Sequence, residues 1–261
     1  MRAPDVTVSD DARGVRTLAL ARPERHNAFD DVLVAELTAR LEQAASDEAV
    51  RVVVLTGEGS SFSAGADIAW MKRAADDDEA ANLEDARRLA RLMTTLDRLA
   101  KPTIARVNGA AIGGGVGLVA ACDIAVAADA AVFALSEVRL GLIPAVIAPF
   151  LVRAIGARQA RRLVLTAERI DATAARAIGL VHEVVPDDRL DERVEGLVGH
   201  LLAGGPDALA RAKRLVDVVA YRQPDDESAE ATAQLLARVR GGDEAKEGLA
   251  AFLAERRPGW R

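Results

Sequence analysis

The sequence predicts an α/β fold in which buried strands of a largely parallel sheet alternate with helices. Three features of the chain lead there. Val52-Val53-Val54-Leu55 is apolar at every position, as a strand is when both faces of its sheet are covered. Val34, Leu37, Leu41 and Ala44 recur instead at three and four residues, the period of one helical face. Segments of the two kinds follow one another along the chain, separated by glycine-bearing turns.

The elements can be taken in order. Residues 6–8 and 15–20 read as short strands around the turn-prone Ser9-Asp10-Asp11-Ala12-Arg13-Gly14, an opening hairpin. Asn27 is suited to cap the next helix, with Asp30 near its third position, and Ser46-Asp47-Glu48 ends it. The strand at 52–55 then releases into Thr56-Gly57-Glu58-Gly59-Ser60. After an acidic stretch at 76–79, a helix carries Leu83, Ala86, Ala90, Met93, Leu96 and Ala100 on one packing stripe. Pro102 opens a strand at 103–107, a helix begins near Gly114, and a strand follows at 124–126. From Val146 onward short helices, broken at Gly156 and Gly179, accompany a strand at 181–185. Gly205-Pro206 starts a helix with Leu209, Ala212, Val216 and Val219 on one face, and two more helices occupy 226–240 and 243–253. These last helices have apolar faces but few partners of their own. The expected division is a catalytic core at 1–200 and a helical oligomerisation region at 201–261.

With 261 residues, half of them hydrophobic, the chain can bury one substantial core. Its formal net charge of -6, with acidic and basic residues interspersed, gives no general reason to bind nucleic acid, and 3% aromatic content leaves little to stack on bases. Cys122 is the only cysteine, so neither an intrachain disulfide nor a multi-thiolate metal site can form. The first residues lack an apolar run of signal-peptide length, and residues 104–135 are interrupted by Arg106, Asn108, Asp123 and Asp129. The expectation is a cytoplasmic protein with no membrane contact.

Two glycine-bearing loops follow buried strands: Ser61-Phe62-Ser63-Ala64-Gly65-Ala66-Asp67 and Asn108-Gly109-Ala110-Ala111-Ile112-Gly113-Gly114-Gly115-Val116-Gly117. Such loops bring main-chain N–H groups to a ligand without side-chain obstruction, and the second also opens a helix, whose N-terminal field favours negative charge. One N–H from each, near Ala66 and Gly114, would make an oxyanion hole; either loop alone reads more readily as tight packing. No G-x-G-x-x-G in an early strand-turn position and no P-loop motif is present, which excludes nucleotide folds of those kinds. Glu137 follows the strand-like Val132-Phe133-Ala134-Leu135 and precedes Val138, Leu140 and Leu142, so partial desolvation would suit it to acid–base work. A salt bridge to Arg139 or Arg153, or a helix-terminal carboxylate, is the competing reading. His26, His182 and His200 have no ligand spacing, and Ser136 has no sequence-defined His partner, which leaves no metal site or serine nucleophile.

In this order and spacing the residues resemble the crotonase, or enoyl-CoA hydratase and isomerase, superfamily. The resemblance runs through Arg22-Pro23, Asn27-Ala28, the 62–67 and 108–115 loops, Cys122-Asp123, Glu137 with Leu140-Gly141-Leu142-Ile143-Pro144, and Lys246-Glu247-Gly248-Leu249-Ala250-Ala251-Phe252. It implies a spiral of ββα units with a C-terminal helical assembly region, a homotrimer or dimer of trimers, and an acyl-CoA thioester ligand. Coenzyme A would be the carrier portion of that substrate, with no separate cofactor. By the same resemblance the N–H groups of Ala66 and Gly114 hold the thioester oxygen, and Glu137 is catalytic. Ala28, Ala64, Asp67 and Ile68 match the region curled around the adenine, with Arg22, Arg25 and Arg256 as candidate phosphate neighbours; Arg22 and Arg25 read equally as solvated loop charges.

The departure is Gly117. Family hydratases often carry a glutamate there besides the one matching Glu137, and a glycine cannot move a proton. A single glutamate also resembles double-bond isomerases. A narrower resemblance, in Ala69-Trp70-Met71-Lys72-Arg73, in the residues around Gly117, and in Ser136-Glu137-Val138-Arg139 onward, is to hydratases of methylglutaconyl-CoA or related carboxylated enoyl-CoA thioesters of leucine or acyclic terpene breakdown, in which this glycine is familiar. The expected reaction is therefore hydration, with isomerisation and a noncatalytic acyl-CoA-binding trimeric scaffold as alternatives. Gly117 would then line the acyl site, and Lys72 or Arg139 could face a distal carboxylate; Lys72 as a mobile surface cation and Arg139 as a structural partner of Glu137 remain open.

Overall fold

A computed structural model describes residues 4–260. Strands β1 (Val6–Asp10) and β2 (Val15–Leu20) form the expected hairpin, with Val6 opposite Leu20. Helix α1 (Asp31–Ser46) buries Leu33, Val34, Leu37, Leu41 and Ala44, the stripe its periodicity predicts. Its cap is Asp30, which accepts the Leu33 N–H at 2.9 Å. Asn27 is not the cap. It is fully buried in left-handed conformation (φ 56°), accepts the Arg22 N–H, and donates to the carbonyls of Glu58 and Ser61, so it fastens a loop instead of starting a helix.

A strand–strand–helical pattern then runs three times. β3 (Val52–Gly57) and β4 (Ser61–Ser63) lead into α2 (Ile68–Asp76) and α3 (Glu79–Asp97); β5 (Thr103–Val107) and β6 (Ala110–Ile112) lead into α4 (Gly114–Ala121). β7 (Ile124–Ala128) and β8 (Val132–Ala134) lead through a 3-10 turn at Glu137–Leu140 into α5 (Ala148–Thr166). The first strand of each pair joins a six-stranded sheet of order β1-β2-β3-β5-β7-β10, and the second joins a four-stranded sheet of order β4-β6-β8-β9. Beyond α5, β9 (Arg169–Asp171) pairs antiparallel with β8, α6 (Ala172–Ala177) follows, and β10 (Glu183–Val185) pairs parallel with β7. This is the spiral of ββα units that the resemblance implies. The strand foreseen at 181–185 starts two residues later, although Val181 is buried.

The all-apolar β3 has the expected cause. Val53 and Leu55 enter the main core with α1, α3 and α4, whereas Val52 and Val54 pack on the opposite side against Leu190, Val194 and Val198 of α7 (Leu190–Ala203). One helix differs from its sequence reading. On α3 only Leu92, Met93 and Leu96 are buried, while Leu83 and Ala86 are exposed, so the stripe is covered along the C-terminal half alone. The expected break at Gly156 is present: its backbone is non-helical (φ 73°) and divides α5 into two helical pieces across a kink.

α8 (Pro206–Val219) and α9 (Asp226–Arg240) bury no residue, and α10 (Asp243–Leu253) buries only Ala251. Val216, Tyr221, Leu249, Phe252 and Leu253 are exposed. The tail is nonetheless fixed at points: the Glu244 carboxylate accepts the Asp207 and Ala208 N–H groups, and Arg51 donates to the carbonyls of Trp260 and Gly204. Among the described residues no helix is long and apolar enough to cross a membrane.

Candidate active site

The two glycine loops lie against each other because neither tolerates a side chain at the contact. Gly65 is left-handed (φ 83°), and a β-carbon on it would stand 2.7 Å from the Ile112 carbonyl oxygen and 3.6 Å from the Gly114 nitrogen. On Gly115 a β-carbon would stand 2.6 Å from the Ser63 carbonyl oxygen. Neighbouring amides are occupied: Gly65 N–H donates to Ser63 Oγ, Asp67 N–H to the Phe29 carbonyl, and Gly113 N–H to the Ala134 carbonyl. The N–H groups of Ala66 and Gly114 have no protein acceptor among the described residues. Both residues are partly exposed, so these are two free donors on adjoining turns. Gly114 also begins α4, where the helix field adds to the attraction for an anion.

Glu137 comes to the same place. A β-carbon on Gly113 would lie 2.9 Å from Glu137 Oε1, so the carboxyl stands over the turn that presents the Gly114 N–H. Its Oε2 is buried without a hydrogen-bond partner. Burial raises the Glu137 pKa above the ordinary carboxylate value, opposed by a hydrogen bond from its own N–H. Neither expected salt bridge forms. Arg153 pairs with Asp97 and Asp217, and Arg139 is exposed with no ion pair among the described residues. A buried carboxyl oxygen left free in this way is suited to hold or move a proton.

Gly117 lies one turn into α4. A β-carbon there would overlap Ile147 Cγ2 and sit 3.3 Å from Met93 Cε, so apolar side chains fill the place where a second carboxylate would start. Desolvation pushes the Cys122 thiol up to about 12, away from the thiolate form a nucleophile needs. His182 Nδ1 accepts the Ala125 N–H, and His26 Nδ1 lies 3.0 Å from Ser61 Oγ. Among the described residues there is no metal-binding cluster of three or more His, Cys, Asp or Glu.

The residues matched to the adenine and phosphate region are brought together but serve different ends. Arg22 is turned inward, its side chain 4% exposed, and is shared among Asp30, Asp67 and the Ala28 carbonyl. Such burial makes it a structural ion-pair member and removes it from the phosphate candidates. Arg25 is exposed and pairs with Asp67 at 2.9 Å. Burial works against the Asp67 charge, but Arg25 and the N–H groups of Trp70 and Ala69 outweigh it and hold the carboxyl below its usual range. Asp67 thereby caps α2, while Ala28 is buried, Ala64 half-buried and Ile68 exposed at the head of that helix. Lys72 is exposed farther along α2. Arg256 is held by the Glu247 carboxylate.

A cavity of about 1060 Å³ lies at the other end of α4, bounded by Val119, Cys122, Asp123, Lys213 and Tyr221. It contains none of the predicted site residues, and Lys213 and Asp123, its central charges, neutralise each other at 2.8 Å. Unpaired polar groups gather instead at the N-terminal end of α4.

The model of the family described as enoyl-CoA hydratase/isomerase matches residues 10–261. The chain belongs to that family. Among solved members, an enoyl-CoA hydratase from Shewanella pealeana is 42% identical with a TM-score of 0.95, covering 98% of this chain and 96% of that one. The 2,3-dehydroadipyl-CoA hydratase of Escherichia coli is 36% identical, over 95% of each chain. The 1,2-epoxyphenylacetyl-CoA isomerase of the same organism is 35% identical, over 94% of each. This enoyl-CoA hydratase/isomerase family member is a hydratase-like enzyme of the crotonase superfamily. Sequence reasoning missed Ile147 and Met93 at Gly117, and Phe29, whose ring meets the Gly114 turn. Their only signal was apolar character, which reads as core.

Proposed function

We propose that this enzyme adds water across the double bond of an enoyl-CoA thioester whose acyl chain is branched or carries a distal carboxylate, of the methylglutaconyl-CoA kind. The observation that carries the reading is the unpartnered Glu137 carboxyl standing over the turn that offers the Gly114 N–H. In this reading the thioester oxygen accepts from Ala66 and Gly114, so negative charge developing there meets donors that need no reorientation. Glu137 takes a proton from water as the water oxygen bonds to the β-carbon, and the Glu137 carboxyl then returns that proton to the α-carbon of the enolate, giving the 3-hydroxyacyl thioester. Coenzyme A arrives with the substrate and lies along Ala28, Ala64, Asp67 and Ile68, with Arg25 near its phosphates.

Support for a carboxylated chain comes from Lys72 and Arg139, exposed cations with no ion-pair partner among the described residues, on elements flanking the site. The named substrate of the dehydroadipyl relative likewise ends in a carboxylate. Exposed Val216, Phe252 and Leu253 on helices that bury almost nothing support residues 201–261 as an assembly region forming a trimer or dimer of trimers. A second reading, double-bond isomerisation with Glu137 as the one shuttling base, is favoured by the apolar filling at Gly117. Mass analysis of products from crotonyl-CoA, a 3-enoyl-CoA and a carboxylated enoyl-CoA separates the two. Gain of one water is the expected result, fastest with the carboxylated compound. A migrated double bond at unchanged mass would install the isomerase instead.

A further inference from the structure

We infer that Phe29 is the positioning residue that sets both oxyanion donors at once, Ala66 through its backbone and Gly114 through its ring. The inference rests on the assignment of these two N–H groups to the thioester oxygen. The Phe29 N–H donates to the Gly65 carbonyl at 2.6 Å, and the Phe29 carbonyl accepts the Asp67 N–H at 2.7 Å, so an isolated parallel bridge brackets Ala66. The Gly65 carbonyl and the Ala66 N–H belong to one planar trans peptide and point in opposite directions. Fixing the carbonyl on Phe29 therefore aims the Ala66 N–H away from it, toward the site. The side chain acts on the other donor. Phe29 is 1% exposed, and a β-carbon on Gly114 would stand 2.7 Å from its Cε2 and 3.1 Å from its Cδ2. The ring thus forms the floor on which the Gly114 backbone rests. Since one residue touches both turns, the separation of the two donors is set by the fixed distance from its main chain to its ring edge. Asn27 and the strap of His26 and Asn27 carbonyls to Ala64 N–H and Ser63 Oγ hold the segment that carries Phe29 in place.

The probe is butyryl-CoA labelled with carbon-13 at the thioester carbonyl, a saturated compound that cannot be hydrated. Its carbonyl shift on binding reports polarisation by the two donors, and turnover is read separately on an enoyl-CoA. Phe29→Leu keeps the backbone bridge and withdraws the ring. Expected are a folded protein, a dissociation constant within about threefold of the parent, a carbonyl shift moved toward the free value, and kcat lower by about tenfold, less than the 10² to 10³ for loss of a whole donor. Phe29→Met gives the same readouts if the leucine variant fails to fold. Gly114→Ala approaches the contact from the other side. It should lower kcat alone, and lower it less in the Phe29→Leu background, where the new methyl has room. A folded ring-less variant with the parental carbonyl shift and kcat overturns the role of Phe29, as does strict additivity of the two substitutions. A parent enzyme that turns over but shows no carbonyl shift overturns the donor assignment itself.

Discussion

The two ends of this molecule solve the problem of burial differently. Around the start of α4, Phe29, Ser63, Gly65 and Gly113 find their partners within one chain, and among the described residues the groups left free include Ala66 N–H, Gly114 N–H and one Glu137 oxygen. Along α8, α9 and α10 nearly everything apolar is left over, with Phe252 79% and Leu253 81% exposed. Where saturation is the rule, an unpaired polar group marks chemistry. Where helices lack a core of their own, exposed apolar side chains mark a missing surface.

Substitution of Glu137 should break the comparison most sharply. Glu137→Gln keeps the shape and loses proton transfer, so turnover should fall by about 10² or more while acyl-CoA binding persists. Because burial raises the Glu137 pKa, the folded protein holds that proton more tightly than the unfolded chain. Stability therefore falls as pH rises from the ordinary glutamate value through the raised one, and the full penalty is present only above the raised value. Glu137→Gln should therefore melt at a higher temperature than the parent at pH 7, with the difference vanishing in acid. The parent's kcat/KM should fall on acidification through a pKa above the usual glutamate value. A Gln variant that is folded and fully active would remove Glu137 from the mechanism.

Next in size is Arg22→Ala, which removes a buried cation from Asp30 and Asp67 while the Leu33 N–H, Arg25 and the first N–H groups of α2 still hold them, and should destabilise by about 1–3 kcal/mol in a denaturant titration. A loss below about 1 kcal/mol would return Arg22 to the surface-charge class. Gly117→Glu should cost about 1–3 kcal/mol through overpacking against Ile147 and Met93. Adding Ile147→Ala should recover folding, and equal stability of the single and double variants would show that Ile147 is not the obstacle. Phe252→Asp with Leu253→Asp should leave the core folded by circular dichroism yet shift sedimentation toward monomer; an unchanged profile would exclude these side chains from an interface. The smallest effect belongs to Arg25→Ala, an exposed pair. It should raise KM for acyl-CoA by a few-fold with little change in melting temperature, and an unchanged KM would leave it no ligand role.

What was legible in the sequence was what is local. β3 and the β1–β2 hairpin announce themselves by composition, and both glycine loops by residues whose backbone demands are met on the spot. Asn27 was misread because capping chemistry is shared by several nearby residues, and only Asp30 has the extended backbone of a cap. Arg22 kept two readings because its partner Asp67 lies far along the chain. The α3 stripe has the same period whether or not anything covers it, so exposure of Leu83 could not be foreseen. Phe29 was silent for a related reason: nothing adjacent to it says that its ring will meet Gly114.

The strand order has a consequence for how the chain is made. In both sheets each strand lies beside the one that preceded it in synthesis, β1-β2-β3-β5-β7-β10 and β4-β6-β8-β9. No later strand has to wedge between neighbours that have already paired. A nascent chain can therefore extend both sheets at one growing edge, paying loop closure in instalments and moving only that edge of each sheet as the next strand arrives. We expect ribosome-arrested chains ending just past β7 to show hydrogen-exchange protection in β2 and β3 already. Protection that appears everywhere only after β10 has emerged would show that the sheets close together instead.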